Sequence, residues 1–197
     1  TPSIHNEIAW ALGGRAFDEA ANFIEVSPGK FADLHLTPTL RPETLEIVRL
    51  RRAAILAATR LLPDCAAMVV TLGLVAVWRD NNSSQYLNVA PRPQILRQDP
   101  ERFSLHVLSY EECLQHLRSA LDIVYSVARP DFRVILTVSP VPLTSTHTAD
   151  DVIVANGYSK AVLRTVAETI RRSDPRVIYF PSYESVILSE RKSSAAA

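Results

Sequence analysis

Ser139, His147 and the pair Asp150/Asp151 lie within 13 residues of one another, at the end of an apolar run that two prolines stop. Those are the residue types of a nucleophile, a base and the carboxylate that orients it. The run is Arg133–Leu143, RVILTVSPVPL, followed by the hydroxyl-rich stretch Thr144–Asp151. A Ser139–His147–Asp set would be an activated nucleophile if its members came within hydrogen-bond reach. The competing reading is that the spacing is incidental, because Pro140 follows Ser139 and closeness in sequence is a poor guide to the geometry of such a set. Gly73 closes a second apolar run, Cys65–Gly73. A glycine there either lets a ligand oxygen approach a backbone N–H, as in an oxyanion hole, or only supplies a turn. Asn156, Ser159 and Lys160 fall at a predicted helix N-terminus, where they either face a ligand or, for Asn156, cap the helix. Tyr183 and Glu184 are a binding pair or a rim. His5, His35, His106 and His116 are scattered and read as surface or hydrogen-bonded structural histidines.

Positioning these residues takes elements that the hydrophobic pattern predicts. Arg133–Ser139 is short, β-branched and apolar, which suits a strand buried on both faces, and Pro140 and Pro142 stop it. Cys65–Gly73 and Val177–Phe180 read the same way, the latter closed by Pro181. Three long amphipathic helices alternate with them. Arg41–Leu62 is predicted to start at Pro42 and to bury Leu45, Val48, Ile55 and Leu56. The next opens at Ser109 with Glu112 three residues on, a capping box. The last runs from a cap at Asn156 to about Arg172, burying Val162, Leu163, Val166 and Ile170. An N-terminal helix over Thr1–Arg15, capped by Ser3, precedes an irregular stretch, Ala16–Thr39, with room for a short hairpin. The long connection Leu74–Leu108 holds Trp78 and three prolines and reads as functional or partly structured.

Helices alternating with apolar strands predict an α/β domain with a parallel sheet and helices on both faces. In that arrangement the loops after Gly73, Ser139 and Phe180 meet on one sheet edge. A single domain is expected over 1–188, with 189–197 a disordered tail.

Composition narrows the function. Lys plus Arg and Asp plus Glu each number 21, so net charge is zero, which argues against a nucleic-acid surface. The one dense basic run, Arg49, Arg51 and Arg52, suits a solvated helix face. Five glycines leave no phosphate-binding glycine loop, and neither HExxH nor GxSxG occurs, so no nucleotide cofactor and no metal are expected. Cys65 and Cys113 read as two buried free thiols, and no apolar run reaches the roughly 18 to 20 residues of a membrane span. A cytoplasmic, reducing setting is therefore expected.

Four stretches together resemble the GSCFA-domain family: VVTLGLVAVW (69–78), VILTVSPVPLTST (134–146), ANGYSKAVLR (155–164) and YFPSYE (179–184). That family is similar to the SGNH/GDSL hydrolases. The resemblance implies a flavodoxin-like three-layer α/β/α sandwich and hydrolysis or transfer of an ester, often acetyl on a glycan. It implies a serine nucleophile, a histidine base oriented by an aspartate, and an oxyanion hole that includes the backbone at a glycine. Gly73 carries over to that last role; Ser139, Asn156, Ser159, Lys160, Tyr183 and Glu184 are motif residues without an assigned one. The chain also departs from the pattern. No Gly-Ser-Cys-Phe-Ala occurs, the Asp/His block expected after YFPSYE is replaced by SVILSERKSSAAA, and the acidic position of the first block is Ala76. The expectation is therefore a fragment of a hydrolase with an incomplete sheet, or a degenerate member that binds a glycan or a protein without catalysis. Either way, no triad-dependent esterase activity is expected from the chain alone.

Overall fold

The computed structural model describes residues 1–188, so the expected tail over 189–197 lies outside the described residues. Helix α1 (Pro2–Ala11) opens the chain with Thr1 as its N-cap residue and no side-chain cap, so Ser3 does not serve as one. A short α2 (Glu19–Asn22), capped by Asp18, leads into an antiparallel hairpin, β1 (Phe23–Ser27) and β2 (Lys30–Asp33). Gly29, at φ 69°, makes the tight reversal that a Cβ would strain. Helix α3 (Leu45–Thr59) starts three residues after Pro42, at the N-cap Thr44, so Pro42 stands outside the first turn where the sequence placed it.

The parallel sheet follows. Strands β3 (Ala67–Leu72), β7 (Arg133–Val138) and β8 (Val177–Tyr179) lie in the order β3-β7-β8. Both pairings are parallel, with Ala67 opposite Arg133, Leu72 opposite Val138 and Val134 opposite Val177. Between β3 and β7 the chain builds β4 (Ala76–Asp80), β5 (Gln85–Tyr86), α4 (Pro93–Gln98), β6 (Phe103–Val107) and α5 (Tyr110–Val127). Helix α6 (Val152–Ser173) joins β7 to β8, and α7 (Ser182–Leu188) comes last. The predicted capping box is present: Ser109 Oγ accepts from Glu112 N–H at 3.2 Å, and Glu112 Oε2 accepts from Ser109 N–H at 2.8 Å.

The long connection Leu74–Leu108, read as functional or partly structured, holds a second, antiparallel sheet, in the order β5-β4-β6. It packs on its own small core of Leu34, Leu87, Ile95 and Phe103. The main core lies on one face of the parallel sheet, where Met68, Val70, Leu72, Val134, Leu136 and Val138 meet Leu117, Val124, Leu163 and Val166 of α5 and α6. The other face differs from expectation. Strand β3 alternates strictly between exposed and buried residues, and Val69 and Ile178 are 65% and 52% exposed. A strand covered on both faces would lack that alternation. Among the described residues, only the C-terminal half of β7 is enclosed from both sides, where Ser182 of α7 hydrogen-bonds Thr137 and donates to Val138 O.

One member of the basic run departs from its predicted surroundings. Arg52 is 3% exposed because it occupies the same helical stripe as Val48 and Leu56, facing α1 and β2. Its guanidinium bridges Glu7 (2.7 and 2.8 Å) and the buried Asp33 (2.7 Å) and lies over the Phe17 ring. His35 lies beside this cluster, its Nε2 2.8 Å from Asn22 Oδ1 and its ring edge-on to Trp10. Both cysteines are free; Cys113 is buried, but Cys65 is only half-buried.

Candidate functional site

Because both strand pairs are parallel, Gly73, Ser139 and Phe180 leave the sheet at one edge. This is the edge where open α/β sheets hold ligands. Ser139 N–H donates to Leu72 O at 2.8 Å, extending the ladder by one rung. Nothing lies within 4 Å of the point where a side chain on Gly73 would sit, so its backbone faces open space. The Gly73 carbonyl accepts a hydrogen bond from Lys160 Nζ at 3.1 Å. Lys160 is 1% exposed, and burial holds its ammonium below the ordinary lysine pKa. No ion pair to it occurs among the described residues.

Beyond Ser139 the prolines release the chain into the loop 144–151. Asn156 does not cap α6. Asp151 does, accepting from Ile153 N–H at 2.8 Å, while Asn156, one turn in, accepts from Leu143 N–H at 3.0 Å and ties the loop to the helix. Within the loop, Thr146 Oγ1 lies 2.9 Å from Thr148 Oγ1, and Thr148 Oγ1 accepts from Asp150 N–H. His147 packs edge-on against Trp78, with ring centroids 5.5 Å apart.

These contacts keep Ser139, His147, Asp150 and Asp151 apart in function. The Ser139 hydroxyl accepts from Val141 N–H at 3.2 Å, which is a turn bond. Among the described residues no hydrogen bond joins Ser139 to His147, or His147 to either aspartate. The loop instead walls two clefts. One, of about 330 Å³, is lined by Leu74, Trp78, Asn88, Ser145, Thr146 and His147. The other, of about 350 Å³, is lined by Val75, Val107, Asp150, Val154, Tyr158 and Ser159. Ala76 borders both.

The remaining motif residues form a clamp. Glu184 accepts from Tyr179 OH at 2.7 and 2.9 Å and from Arg164 Nε at 2.7 Å, and Arg164 stacks on the Tyr179 ring. Burial pushes the Glu184 pKa up, but the hydrogen bonds from Tyr179 and Arg164 outweigh it and keep the carboxyl below its usual range. Tyr183 packs against the main core. Glu184 thus binds β8 and α7 to α6, and neither residue lines either cleft. Leu74, Trp78, Asn88 and Tyr158 line the clefts without having been singled out. Only Trp78 carried a signal, as a large aromatic in a proline-rich connection.

Among the described residues no group of three or more His, Cys, Asp or Glu is placed to hold a metal ion. No helix among them is long and apolar enough to cross a membrane. The GSCFA family model matches residues 1–195. No curated protein and no solved structure matches the chain.

Proposed function

The chain belongs to the GSCFA family, and from that premise we propose that it is an SGNH-like ester hydrolase or acyltransferase domain, without a complete triad among the described residues, whose cleft takes an acetyl-ester-bearing saccharide. One observation carries the reading: at the C-terminal edge of a parallel sheet, the backbone at Gly73 stands open beside a cleft with an aromatic wall and a hydroxyl-rich loop. An indole such as Trp78 offers a stacking face for a sugar ring. Asn88, Ser145 and Thr146 offer hydrogen bonds to its hydroxyls. In this reading the parallel sheet is the centre of a three-layer arrangement, with α5 and α6 as one outer layer and α7 on the side of the other. Residues 1–188 act as a single domain, and the free thiols suit a reducing compartment.

Ester attack needs a serine, a base and a carboxylate in hydrogen-bond sequence. Ser139 and His147 are held in other contacts, so this pair does not supply it. That observation favours a second reading, a saccharide-binding or protein-binding module without chemistry. Calorimetric titration with an acetylated xylo-oligosaccharide and its deacetylated form, together with acetate release, separates the two. The ester reading expects preference for the acetylated form and loss of binding in Trp78→Ala. Equal binding of both forms without acetate release supports the module, and no binding of either overturns the cleft assignment.

A further inference from the structure

We infer that Lys160 is a positioning residue that turns the Gly73–Leu74 peptide so that its N–H, donated by Leu74, offers an oxyanion-binding edge to the cleft beside Trp78. This deepens the ester reading and rests on it for the identity of the anion. In a trans peptide the C=O and the following N–H point in opposite directions, and no peptide in the described chain is cis. Lys160 Nζ holds the Gly73 oxygen on the α6 side at 3.1 Å. The Leu74 N–H must then point away from α6, and Leu74 lines the 330 Å³ cleft. Neither Gly73 N–H nor Leu74 N–H has a hydrogen-bond partner among the described residues. With no side chain on Gly73 and open space beside it, an anion can reach the Leu74 N–H.

The electrostatics agree with the geometry. A buried ammonium with no carboxylate opposite it is costly, and such groups mark sites where a negative charge is expected. A cation on the carbonyl also polarises the peptide and strengthens its N–H as a donor. The ligand class is an oxygen anion on a small acyl or phosphonyl centre: a carboxylate product, or the oxyanion of a tetrahedral intermediate.

The test is a titration of the ¹⁵N-labelled chain with methylphosphonate, a tetrahedral mimic, and with acetate, using chloride as the ionic-strength control. The expected result is that the Leu74 and Gly73 amides show the largest shifts with methylphosphonate and do not respond to chloride. Lys160→Met is expected to weaken that response by about tenfold or more, and Lys160→Arg to restore part of it. A purely structural Lys160 would alter the melting temperature but leave the amide response in place, which overturns the inference. If Lys160→Met does not fold, the wild-type titration still decides: no shift at either amide, or larger shifts elsewhere, also overturns it. A clear Leu74 response with no saccharide binding would remove the ester reading and leave the anion site standing.

Discussion

Lowering the pH should destabilise the fold through His35, by an amount the structure lets one work out. The ring is buried beside Arg52, with Nε2 bonded to Asn22 Oδ1 and the ring edge-on to Trp10. Asn22 Nδ2 donates to Asp18 O at 2.8 Å, which fixes the amide so that its oxygen faces the ring and Nε2 carries the proton. Burial first, then the positive charges of Arg52 and Arg15, lower the His35 pKa from 6.5 to about 3, against a smaller opposing pull from Asp80. The unfolded chain therefore binds a proton that the folded chain refuses. Stability from this group is complete above about pH 6.5 and is lost as pH falls from there toward about 3. At about pH 5 the deficit is about 1.5 pH units at about 1.4 kcal/mol each, or about 2 kcal/mol. Urea unfolding of wild type and His35→Gln at about pH 7.5 and about pH 5 isolates it, because other titrating groups largely cancel in the difference. Glutamine can still donate to Asn22 but does not titrate, so wild type should lose about 2 kcal/mol more than the variant over that interval. Equal losses in the two proteins would refute the argument, whatever the variant's overall stability.

Arg52→Met should cost about 3–5 kcal/mol in urea unfolding, because it strands the buried Asp33 carboxylate and frees Glu7, while Arg49→Met, at an exposed pair, should cost less than about 1 kcal/mol. Glu184→Ala removes the acceptor shared by Tyr179 and Arg164, and thermal melts should show a loss of about 1–2 kcal/mol with saccharide binding unchanged. Ser139→Ala and His147→Ala should leave p-nitrophenyl acetate turnover at the level of the unaltered chain. Robust turnover abolished by either substitution would restore an internal Ser–His set.

What the sequence disclosed depended on how local the physics was. The capping box at Ser109 and the buried stripe of α6 are set by neighbours a turn away, and they were legible. So were the three parallel strands, which are short, apolar and bounded by Pro or Asp-Pro signals. The side sheet was not. Strand β5 has only two residues, and β4 carries Arg79 and Asp80, whose charges hide a strand whose Asp80 is buried against Arg102. Arg52 lay on the apolar stripe of α3, but its charge outweighed its position when read alone; only Glu7 and Asp33, distant in sequence, explain its burial. At the candidate site the edge was predictable from the parallel order, whereas the partners were not. Asn156 holds the loop instead of the helix end, and Lys160 reaches a carbonyl 87 residues away.

The antiparallel sheet has a consequence for how the proposed recognition surface can change over time. It is an excursion inside one crossover, leaving after β3 and returning through α5, and it rests on a small core of its own. Trp78 and Asn88 are borne on that excursion, while Gly73 and Lys160 belong to the parallel sheet and the helix packed on it. In the proposed reading, selectivity and anion contact are thus inherited on separate pieces of structure. Drift in the excursion can retune which sugar is held without disturbing the peptide at Gly73. Grafting residues 76–107 between relatives would move the preference and leave the chemistry where it was.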